Sequence, residues 1–431
     1  MSGKPAVASS HPGNPYDVVV LGGGYAGLMA ALRTARPKWR LRIALVSARD
    51  QFLERVRLQE GIHPAVPLRI PSIAAFLANT SIEFIRATVL ALDADRRRVR
   101  IAADDGEREL AFHQAVYALG SDIDVDDIPG ASEHAYRLAA KDGMRSGEAF
   151  RLKLGENGNR PLRVVVVGGA ETGVEAAGEI KTAWPAMEVT LVTRGRCGDF
   201  RGARVEKAIR AEIVRLGVKL IDGETIAEVR PTEVITANGR PIACDLCVWS
   251  GGLRSPPLAR SAGLATDQRG RIMVDAHLRS ITHSQILAVG DAARPIAPTG
   301  APYRQSAFAA LISGAYAADV IAAQKRGRRL PPFSFSTFGQ GIAIGRSGVG
   351  FFSYPDDKQR GFIIKGRSAR HIRNFFVWLV CYVLKIERRF PGCFFWPGSR
   401  RVAWSEANDA IDRVRSRQEI ESAEAPAAAG K

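Results

Sequence analysis

Residues 16–27, YDVVVLGGGYAG, carry the pattern that decides the fold of this 431-residue chain. The first part, Tyr16–Leu21, is apolar and β-branched, as is typical of a buried parallel strand. Gly22-Gly23-Gly24-Tyr25-Ala26-Gly27 follows at once and leads into Ala26–Ala35, which has helical composition. With Arg42–Val46 as the next strand, the stretch predicts a βαβ unit with a glycine turn after its first strand.

This glycine turn has the spacing GxGxxG, which is typical of dinucleotide binding. The first glycine permits the tight turn, the second lets the pyrophosphate approach the backbone, and the third allows close packing of helix on strand. The helix N-terminus adds partial positive charge. We therefore predict a dinucleotide here, with an ordinary glycine turn as the alternative. The predicted binding residues are Gly22, Gly24, Tyr25, Ala26 and Gly27.

The same order of elements returns later in the chain, which indicates an internal duplication. Arg163–Val167 is strand-like, Thr172–Ala183 is helix-like and Glu188–Val192 is the next strand. The turn between them, residues 168–173 (GGAETG), has alanine in place of the middle glycine, so one methyl group crowds the approach of a phosphate. We predict that a second dinucleotide, shifted or more weakly held, binds at Gly168, Gly169 and Gly173.

Two further regions continue this pattern. Antiparallel hairpins are predicted inside each unit, and a third glycine-terminated strand is followed by a long helix. The hairpins pair Val89–Leu92 with Val99–Ala102 and Ile226–Val229 with Glu233–Thr236, and the strand and helix are Ile286–Val289 and Gln305–Gln324.

Composition places the chain among globular proteins with an uneven charge. Hydrophobic residues make up 46% of the sequence, enough to bury a core in each of about three domains. No stretch approaches the roughly 18 to 20 apolar residues that cross a bilayer, and the start lacks a secretion signal. We therefore expect the protein in the cytoplasm or on the inner face of the cytoplasmic membrane. Of the net charge of +17, +13 falls within Ile321–Ser405.

Three motifs together resemble a known family. VVVLGGGYAGL, VVVVGGAETGVEAAGEI and ILAVGDAA, in this order and spacing, are similar to the two-dinucleotide flavoproteins and most similar to type II NADH dehydrogenases. The resemblance covers about residues 15 to 330. It implies that the first unit holds FAD and the second holds NADH or NADPH, and that the flavin then reduces a quinone or other small-molecule acceptor.

The resemblance also implies roles for single residues. Asp291, beside Gly290 in the GD motif, binds the ribityl chain of the flavin, and Gly120 in YALGS lies next to FAD. Glu175 in GVE corresponds to a glutamate beside the isoalloxazine ring that assists proton movement; the alternative is a solvated helix glutamate. Glu179, four residues on, shares the helix face of Glu175.

The predicted fold class is α/β. Two Rossmann-like, three-layer dinucleotide-binding domains are followed by a C-terminal α+β interface domain. The FAD-binding domain is discontinuous, with the NAD(P)-binding domain inserted in it. The predicted segments are 1–14 (disordered tail), 15–125 with 280–330 (FAD-binding), 126–279 (NAD(P)-binding), 331–405 (interface and membrane association) and 406–431 (partly disordered tail).

The acid that normally binds the ribose hydroxyls after the second strand is absent from both units. Ser47 stands there in the first unit and can still accept a hydrogen bond. Thr193 stands there in the second, followed by Arg194 and Arg196, an arrangement that would accommodate a 2′-phosphate. We predict that NADPH is used at least as well as NADH; two solvated loop arginines are the alternative.

The sequence indicates neither a redox disulfide nor a metal site. Gln51–Pro67, where disulfide reductases of this superfamily carry a CxxxxC pair, contains no cysteine. Cys244 and Cys247 form a CxxC in IACDLCVW, which we predict to be a strand with these side chains on opposite faces, so that they cannot easily bond. The seven histidines show no metal-ligand spacing. Electrons are therefore predicted to leave the flavin directly.

Basic and aromatic residues are concentrated towards the C-terminus. Asn374–Lys385 (NFFVWLVCYVLK) is too short to span a bilayer but can lie on one, and Lys and Arg surround it. We predict that residues 358–404 attach to an anionic membrane surface. The alternative is an interface that covers the flavin or forms a homodimer. Nucleic acid is disfavoured, because no groove-reading motif is present.

One departure from the family pattern bears on the acceptor. Type II dehydrogenases usually carry an AQ…Q motif on the helix after the GD loop, where this chain has Phe308 and Ile312, with Gln305 one turn earlier. The predicted acceptor site stays apolar. Three hypotheses follow: a membrane-attached NAD(P)H dehydrogenase with a quinone-like acceptor, a soluble flavoprotein reductase for a biosynthetic substrate or protein electron carrier, and a redox-sensing, nucleic-acid-associated flavoprotein.

Overall fold

The computed structural model describes residues 14–64, 70–138, 147–156, 160–199, 202–297, 302–335, 339–353 and 359–395. In these residues the chain forms 21 strands and nine α-helices. The strands are β1 Tyr16–Leu21, β2 Ile43–Ser47, β3 Ile82–Asp93, β4 Arg98–Ala103, β5 Gly106–Tyr117, β6 Asp122–Ile123, β7 Ala135–Arg137, β8 Arg163–Val167, β9 Glu188–Thr193, β10 Lys219–Asp222, β11 Ile226–Val229, β12 Glu233–Thr236, β13 Pro241–Ala243, β14 Leu246–Trp249, β15 Leu253–Arg254, β16 Ile272–Met273, β17 Ile286–Ala288, β18 Ala293–Arg294, β19 Gly339–Ile344, β20 Ser347–Ser353 and β21 Gln359–Lys365. The helices are α1 Tyr25–Thr34, α2 Ile73–Leu77, α3 Ala131–His134, α4 Gly147–Glu156, α5 Glu171–Ala183, α6 Ala203–Arg215, α7 Leu258–Ser261, α8 Ala307–Lys325 and α9 Arg367–Arg389.

The first sheet has a parallel part with the strand order β3-β2-β1-β5-β17. β3 and β5 are twelve residues long and run on into an antiparallel layer with β4. The first glycine turn follows β1, in the middle of the parallel part. Strand order reverses at this point, which is where open α/β sheets bind their ligands.

The second sheet repeats this design. Its strands lie in the order β10-β9-β8-β14-β7, and each of these pairings is parallel. The second glycine turn follows β8 at the centre of the sheet, and β11, β12 and β13 form an antiparallel excursion beside it. The predicted α/β class with two Rossmann-like units is confirmed.

The C-terminal part contains β19, β20 and β21 in one antiparallel sheet, followed by the 23-residue helix α9. α9 packs on β19 and β20 and also contacts α1. Two of its inward-facing residues, Arg373 and Glu387, are charged and buried. This α+β part therefore contacts the first dinucleotide-binding unit directly.

The core of the first unit includes residues from the stretch predicted to belong to the second. Ala259, Leu264, Ile272 and Leu278 are buried in the same hydrophobic cluster as β1 and α1. The chain has therefore returned to the first unit by α7, and we place that boundary earlier than residue 280.

Among the helices of the described ranges, α8 is the one that is long and apolar enough to cross a membrane, judged only by length and composition. An 18-residue window of this helix is 61% buried. A Cβ built on Gly314 in this helix would lie 2.2 Å from the carbonyl oxygen of Ala26, so α8 packs tightly on α1. The expectation that no stretch is apolar enough was wrong by length and composition, and α8 is apolar because most of it is buried.

Candidate active site between the two glycine turns

The two glycine turns have the same backbone geometry. Gly22 and Gly168 have φ values of 111° and 118°, a region that residues with side chains rarely adopt. Gly24 and Ala170 precede α1 and α5 with φ −80° in both and ψ −170° and −178°. This is extended backbone that any residue adopts, so Ala170 fits its turn without strain.

Gly24 leaves room for a ligand. A Cβ built on Gly24 would meet nothing within 4 Å, whereas one built on Gly27 would lie 1.8 Å from the carbonyl oxygen of Gly22. Packing therefore requires glycine at Gly27, and only an occupant of the adjoining cavity would require it at Gly24. The unpaired first-turn N–H groups of α1 point to the same place, so the turn fits the pyrophosphate of FAD.

One cavity of about 800 Å³, here called the central cavity, extends between the two turns. The second turn contributes Glu171 and Thr172, and Glu175 follows one helical turn later. Most residues predicted to bind the first dinucleotide line it as well: Gly22, Gly24, Tyr25, Ala26, Ser47, Gly120, Gly290 and Asp291. The predicted residues that do not line it are Gly27, Gly168, Gly169, Gly173 and Arg194. The reactive ends of two dinucleotides can therefore meet in this cavity.

Asp291 lies in a short 3-10 helix, Gly290–Ala292, at the carboxyl end of the first sheet. Its carboxylate accepts a hydrogen bond from Ser121 Oγ at 2.9 Å. Its backbone carbonyl accepts from Gln305 Nε2 at 3.2 Å and from Ser255 Oγ at 3.3 Å. These bonds hold the loop at the edge of the central cavity, and the role of Asp291 in binding the ribityl chain stays a prediction.

Glu175 is held in a buried ion pair. Its carboxylate accepts from Arg373 Nε at 3.0 Å and Nη2 at 2.9 Å, from the Ala343 N–H at 2.9 Å, and from Gln59 Nε2. Burial raises the pKa of the Glu175 carboxyl, and the guanidinium and the backbone N–H oppose that shift. Arg373 also pairs with Glu60. Glu175 thus joins α5 to α9 and β19; its role in proton movement stays a prediction.

Glu171 lies one turn before Glu175 and faces the central cavity. The side chain is enclosed by protein, but it is partly accessible through the cavity. Burial raises the pKa of Glu171 to about 6, against a hydrogen bond with Gln340 and the positive charge of Arg304, which both lower it. No sequence motif marks this residue, although it stands at the i−4 position from Glu175 on the same helix face.

The apolar wall of the central cavity comes from α8 and α9. Phe308 and Phe376 are in edge-to-face contact, with ring centroids 6.0 Å apart. Val377 and Val380 extend this wall, and Gln305 lies beside it. The apolar surface predicted for the acceptor therefore borders the same cavity, and α9 contributes Phe376, Val377 and Val380 to it.

Arg194 and Arg196 differ in their surroundings. Arg196 Nε donates to Glu206 Oε1 at 2.6 Å, which leaves it engaged on the surface. Arg194 is exposed at the end of β9 and makes no ion pair with any other residue in the described ranges. Of the two, Arg194 is the one whose charge is available to a 2′-phosphate.

The CxxC pair departs from expectation. β13 ends before Cys244 and β14 begins after it, so the two cysteines do not lie on one strand. Both thiols are free and buried. The prediction that one strand carries both cysteines was wrong, and the opposite orientation of their side chains stays a prediction. Neither residue lines the central cavity.

Known proteins share this arrangement. Residues 16–314 match the profile of the pyridine nucleotide-disulphide oxidoreductases. The demethylphylloquinone reductase NdbB of Synechocystis is 28% identical over 355 residues, 77% of this chain and 85% of that protein. An NADH dehydrogenase-like protein of Mycobacterium tuberculosis is 31% identical over 295 residues, 64% of this chain and 72% of that protein. The solved structure of the sulfide:quinone oxidoreductase of Aquifex aeolicus aligns with a TM-score of 0.74 at 18% identity, covering 87% of this chain and 92% of that one.

The duplicated sheets and their shared cavity define a two-dinucleotide oxidoreductase. The chain belongs to the pyridine nucleotide-disulphide oxidoreductase family and is an enzyme that uses FAD and NAD(P)H. The predicted likeness to type II NADH dehydrogenases is confirmed. No cysteine is found among the described residues that line the cavity.

Proposed function

We propose that the protein oxidises NADH or NADPH, passes the hydride equivalent to FAD and reduces a quinone-like acceptor. The observation that carries this proposal is the central cavity, which both glycine turns border and which has an apolar wall. An apolar wall with few polar groups suits a flat, largely apolar acceptor. The name of the Synechocystis relative supports an acceptor of the quinone class.

The residues of the chain position the reactants. The turn at Gly24 and the N-terminus of α1 would hold the pyrophosphate of FAD, and Asp291 would hold its ribityl chain. The N-terminus of α5 would hold the pyrophosphate of NAD(P)H. FAD, when bound, supplies the two-electron chemistry that no side chain can perform. Phe308 and Phe376 keep water away from the acceptor and set its plane by ring contact.

An anaerobic two-step experiment tests the proposal. NADH or NADPH is added to the purified protein, and bleaching of the visible flavin band is followed. A ubiquinone analogue is then added. We expect bleaching and then recovery of the band. Bleaching without recovery would favour the soluble reductase of a biosynthetic substrate or carrier protein, and a colourless protein that takes up no flavin would overturn both readings.

We propose that α9 also rests on an anionic membrane surface. Phe375, Trp378 and Tyr382 are 55%, 53% and 41% exposed, and their spacing puts them on one side of the helix. Trp378 and Tyr382 stack with ring centroids 4.6 Å apart. Exposed Trp and Tyr beside basic residues suit the interface of an anionic bilayer. Residues 358 and 396–404 of the predicted attachment segment lie outside the described ranges.

Co-sedimentation with liposomes tests this attachment. We expect the protein to sediment with vesicles that contain anionic lipid, and less at high salt, because surface charges are screened. Trp378→Ala with Phe375→Ala should weaken sedimentation. Leu152→Ala removes an apolar side chain that is equally exposed, on α4, and serves as the control. Unchanged sedimentation of the α9 variant, or a dimer that α9 variants dissociate, would favour the interface alternative.

We infer that Arg194 lets the second unit accept NADPH at least as well as NADH. Arg194→Ala should weaken binding of NADPH and leave NADH binding close to wild type. Arg196→Ala is the matched control, because Arg196 is already paired with Glu206. Equal affinity for NADP⁺ before and after the Arg194 change would count against the inference.

A further inference from the structure

Three glutamates recur every fourth residue along α5. Glu171 and Glu175 line the central cavity, and Glu179 lies beyond them, away from it. All three stand on the same face of the helix, because four residues make about one turn. The family pattern draws attention to Glu175, but the contacts of the three carboxyls differ.

Glu175 is poorly suited to exchange a proton. Its two oxygens accept four hydrogen bonds, two of them from the Arg373 guanidinium, with the Ala343 N–H and the Gln59 amide as the other donors. A carboxylate with this many donors has no lone pair left in the direction of the cavity. Protonation would also leave the Arg373 charge buried beside a neutral partner.

Glu171 has the properties that Glu175 lacks. It lies at the second glycine turn, it faces the central cavity, and solvent reaches it there. The groups that face it are Gln340 from β19, Arg304 from the segment before α8, and Glu175 on its own helix, whose charge Arg373 from α9 offsets. Its carboxyl gains and loses a proton near neutral pH, since burial raises its pKa to about 6.

We propose that Glu171 gives a proton to the acceptor when the acceptor is reduced in the central cavity, and that Glu175 is a positioning residue. This rests on the proposed function. Reduction of a quinone to a hydroquinone adds two electrons and two protons. The electron pair and one proton are the hydride equivalent that NAD(P)H supplies. The second proton leaves the Glu171 carboxyl, which becomes a carboxylate and takes up a proton from solvent.

The pH dependence of the second half-reaction tests the assignment. Protein bleached with NADH is mixed anaerobically with a ubiquinone analogue between pH 5 and 9. In wild type, the rate of flavin recovery should fall about tenfold per pH unit once the pH exceeds the pKa of the donor. Glu171→Gln should give a slow, pH-independent rate, and Glu171→Asp should restore the pH dependence. Glu175→Gln should keep the wild-type shape.

An infrared titration of ¹³C-glutamate-labelled protein, without NAD(P)H, gives a readout that does not depend on turnover. Two carboxyls should titrate in this range, Glu171 near pH 6 and Glu179 near pH 7; the first should be lost in Glu171→Gln and kept in both Glu175→Gln and Glu179→Gln. The proposal is overturned if Glu171→Gln keeps the wild-type pH profile, or if Glu175→Gln abolishes it. Wild-type protein that bleaches with NADH but never recovers with quinone would instead refute the acceptor, so the two failures are distinguishable.

Discussion

Gly24 and Ala170 hold the same backbone conformation in the two turns and differ by one methyl group. Because a Cβ at Gly24 meets no protein atom within 4 Å, Gly24→Ala should leave the free energy of unfolding of the apoprotein unchanged. The methyl group would occupy the space of the pyrophosphate, so FAD affinity should fall at least about tenfold, or about 1.4 kcal/mol. Flavin content after gel filtration and titration with FAD measure this.

Ala170→Gly is the reverse change in the second turn. It should lower the dissociation constant for NADH a few-fold, because it removes the methyl group that limits approach to the backbone. Gly27→Ala provides the contrast, since its Cβ would lie 1.8 Å from the Gly22 carbonyl oxygen and should unfold the turn. Full FAD retention in Gly24→Ala would show that the pyrophosphate lies elsewhere.

The burial of Glu179 on α5 predicts that the stability of the protein depends on pH. It is 2% exposed, and Arg370 Nη2 lies 3.3 Å from its carboxylate. Burial raises its pKa to about 7, with the Arg370 and Arg373 charges opposing and the Glu175 and Glu60 charges adding to the shift. The folded protein therefore binds this proton more tightly than the unfolded chain, so stability is full below about pH 4.5 and falls as the pH rises towards 7.

Glu179→Gln should accordingly raise the free energy of unfolding at pH 8 by about 1–3 kcal/mol, since one pKa unit corresponds to about 1.4 kcal/mol. At pH 4.5 the substitution should leave the free energy of unfolding nearly unchanged. Urea denaturation at both pH values measures the difference. Glu133→Gln, an exposed change of the same chemistry, is the control. A loss of stability of equal size at both pH values would mean that the Arg370 pair outweighs burial.

Motifs identify residues that act through the backbone and miss residues that act through long-range pairing. The glycines of both turns could be predicted because their spacing alone specifies a turn and a phosphate approach. The role of Arg373 could not be predicted, because Arg373 is 198 residues from Glu175 in sequence and no motif in α9 indicates that partner. Glu171 was within reach, since helical spacing places it beside Glu175.

The α1–α8 contact is the packing on which the first glycine turn depends. In Gly314→Ala the new methyl group would lie 2.2 Å from the Ala26 carbonyl oxygen, so the two helices must move apart. We expect a loss of about 1–3 kcal/mol in the free energy of unfolding and reduced flavin content, since Ala26 belongs to the turn. Denaturant titration and flavin absorbance measure the two effects.

Gly155→Ala is the matched control, because Gly155 lies in α4 with nothing within 4 Å of its missing Cβ. It should be neutral or stabilising by up to about 1 kcal/mol, since alanine favours the helix. If Gly314→Ala keeps as much flavin as the control, the α1–α8 contact does not determine the flavin-binding conformation of the first glycine turn.

Helices and strands could be predicted where one local pattern decides them. The hairpin of β11 and β12 has the predicted bounds, Ile226–Val229 and Glu233–Thr236. The first hairpin was predicted with short strands, whereas its first strand lies in β3, which runs for twelve residues through two layers, and its second in β4, which runs for six. Tertiary pairing with β2 extends β3, and sequence periodicity carries no information on a strand that changes partners.

α9 connects all three parts of the molecule. Arg373 pairs with Glu60 in the first unit and Glu175 in the second, and Glu387 at the other end pairs with Arg33 of α1 at 3.3 Å. Charge and aromatic content predicted a surface role for this region, and the exposed face fits that. The inner face carries buried charges instead of a purely apolar stripe, which composition could not indicate.

The Arg373 pair should therefore govern the stability of the whole assembly. Arg373→Met leaves the buried Glu175 carboxylate without its cation, whereas Glu60 keeps Arg57 at 2.8 Å, and should cost about 3–5 kcal/mol in the free energy of unfolding. The double variant Arg373→Met with Glu175→Gln should recover part of the lost free energy of unfolding, because contacting residues are coupled by about 0.5–3 kcal/mol. Arg367→Met, on the exposed first turn of α9, is the control.

Denaturant titration of the single and double variants gives the coupling, and limited proteolysis shows whether α9 is cut first. Two results would contradict this: losses of stability that are additive in the double variant, or cleavage of α9 as fast in the control as in Arg373→Met. Either result would mean that apolar contacts hold α9 in place. The ion pair would then only orient Glu175 at the cavity.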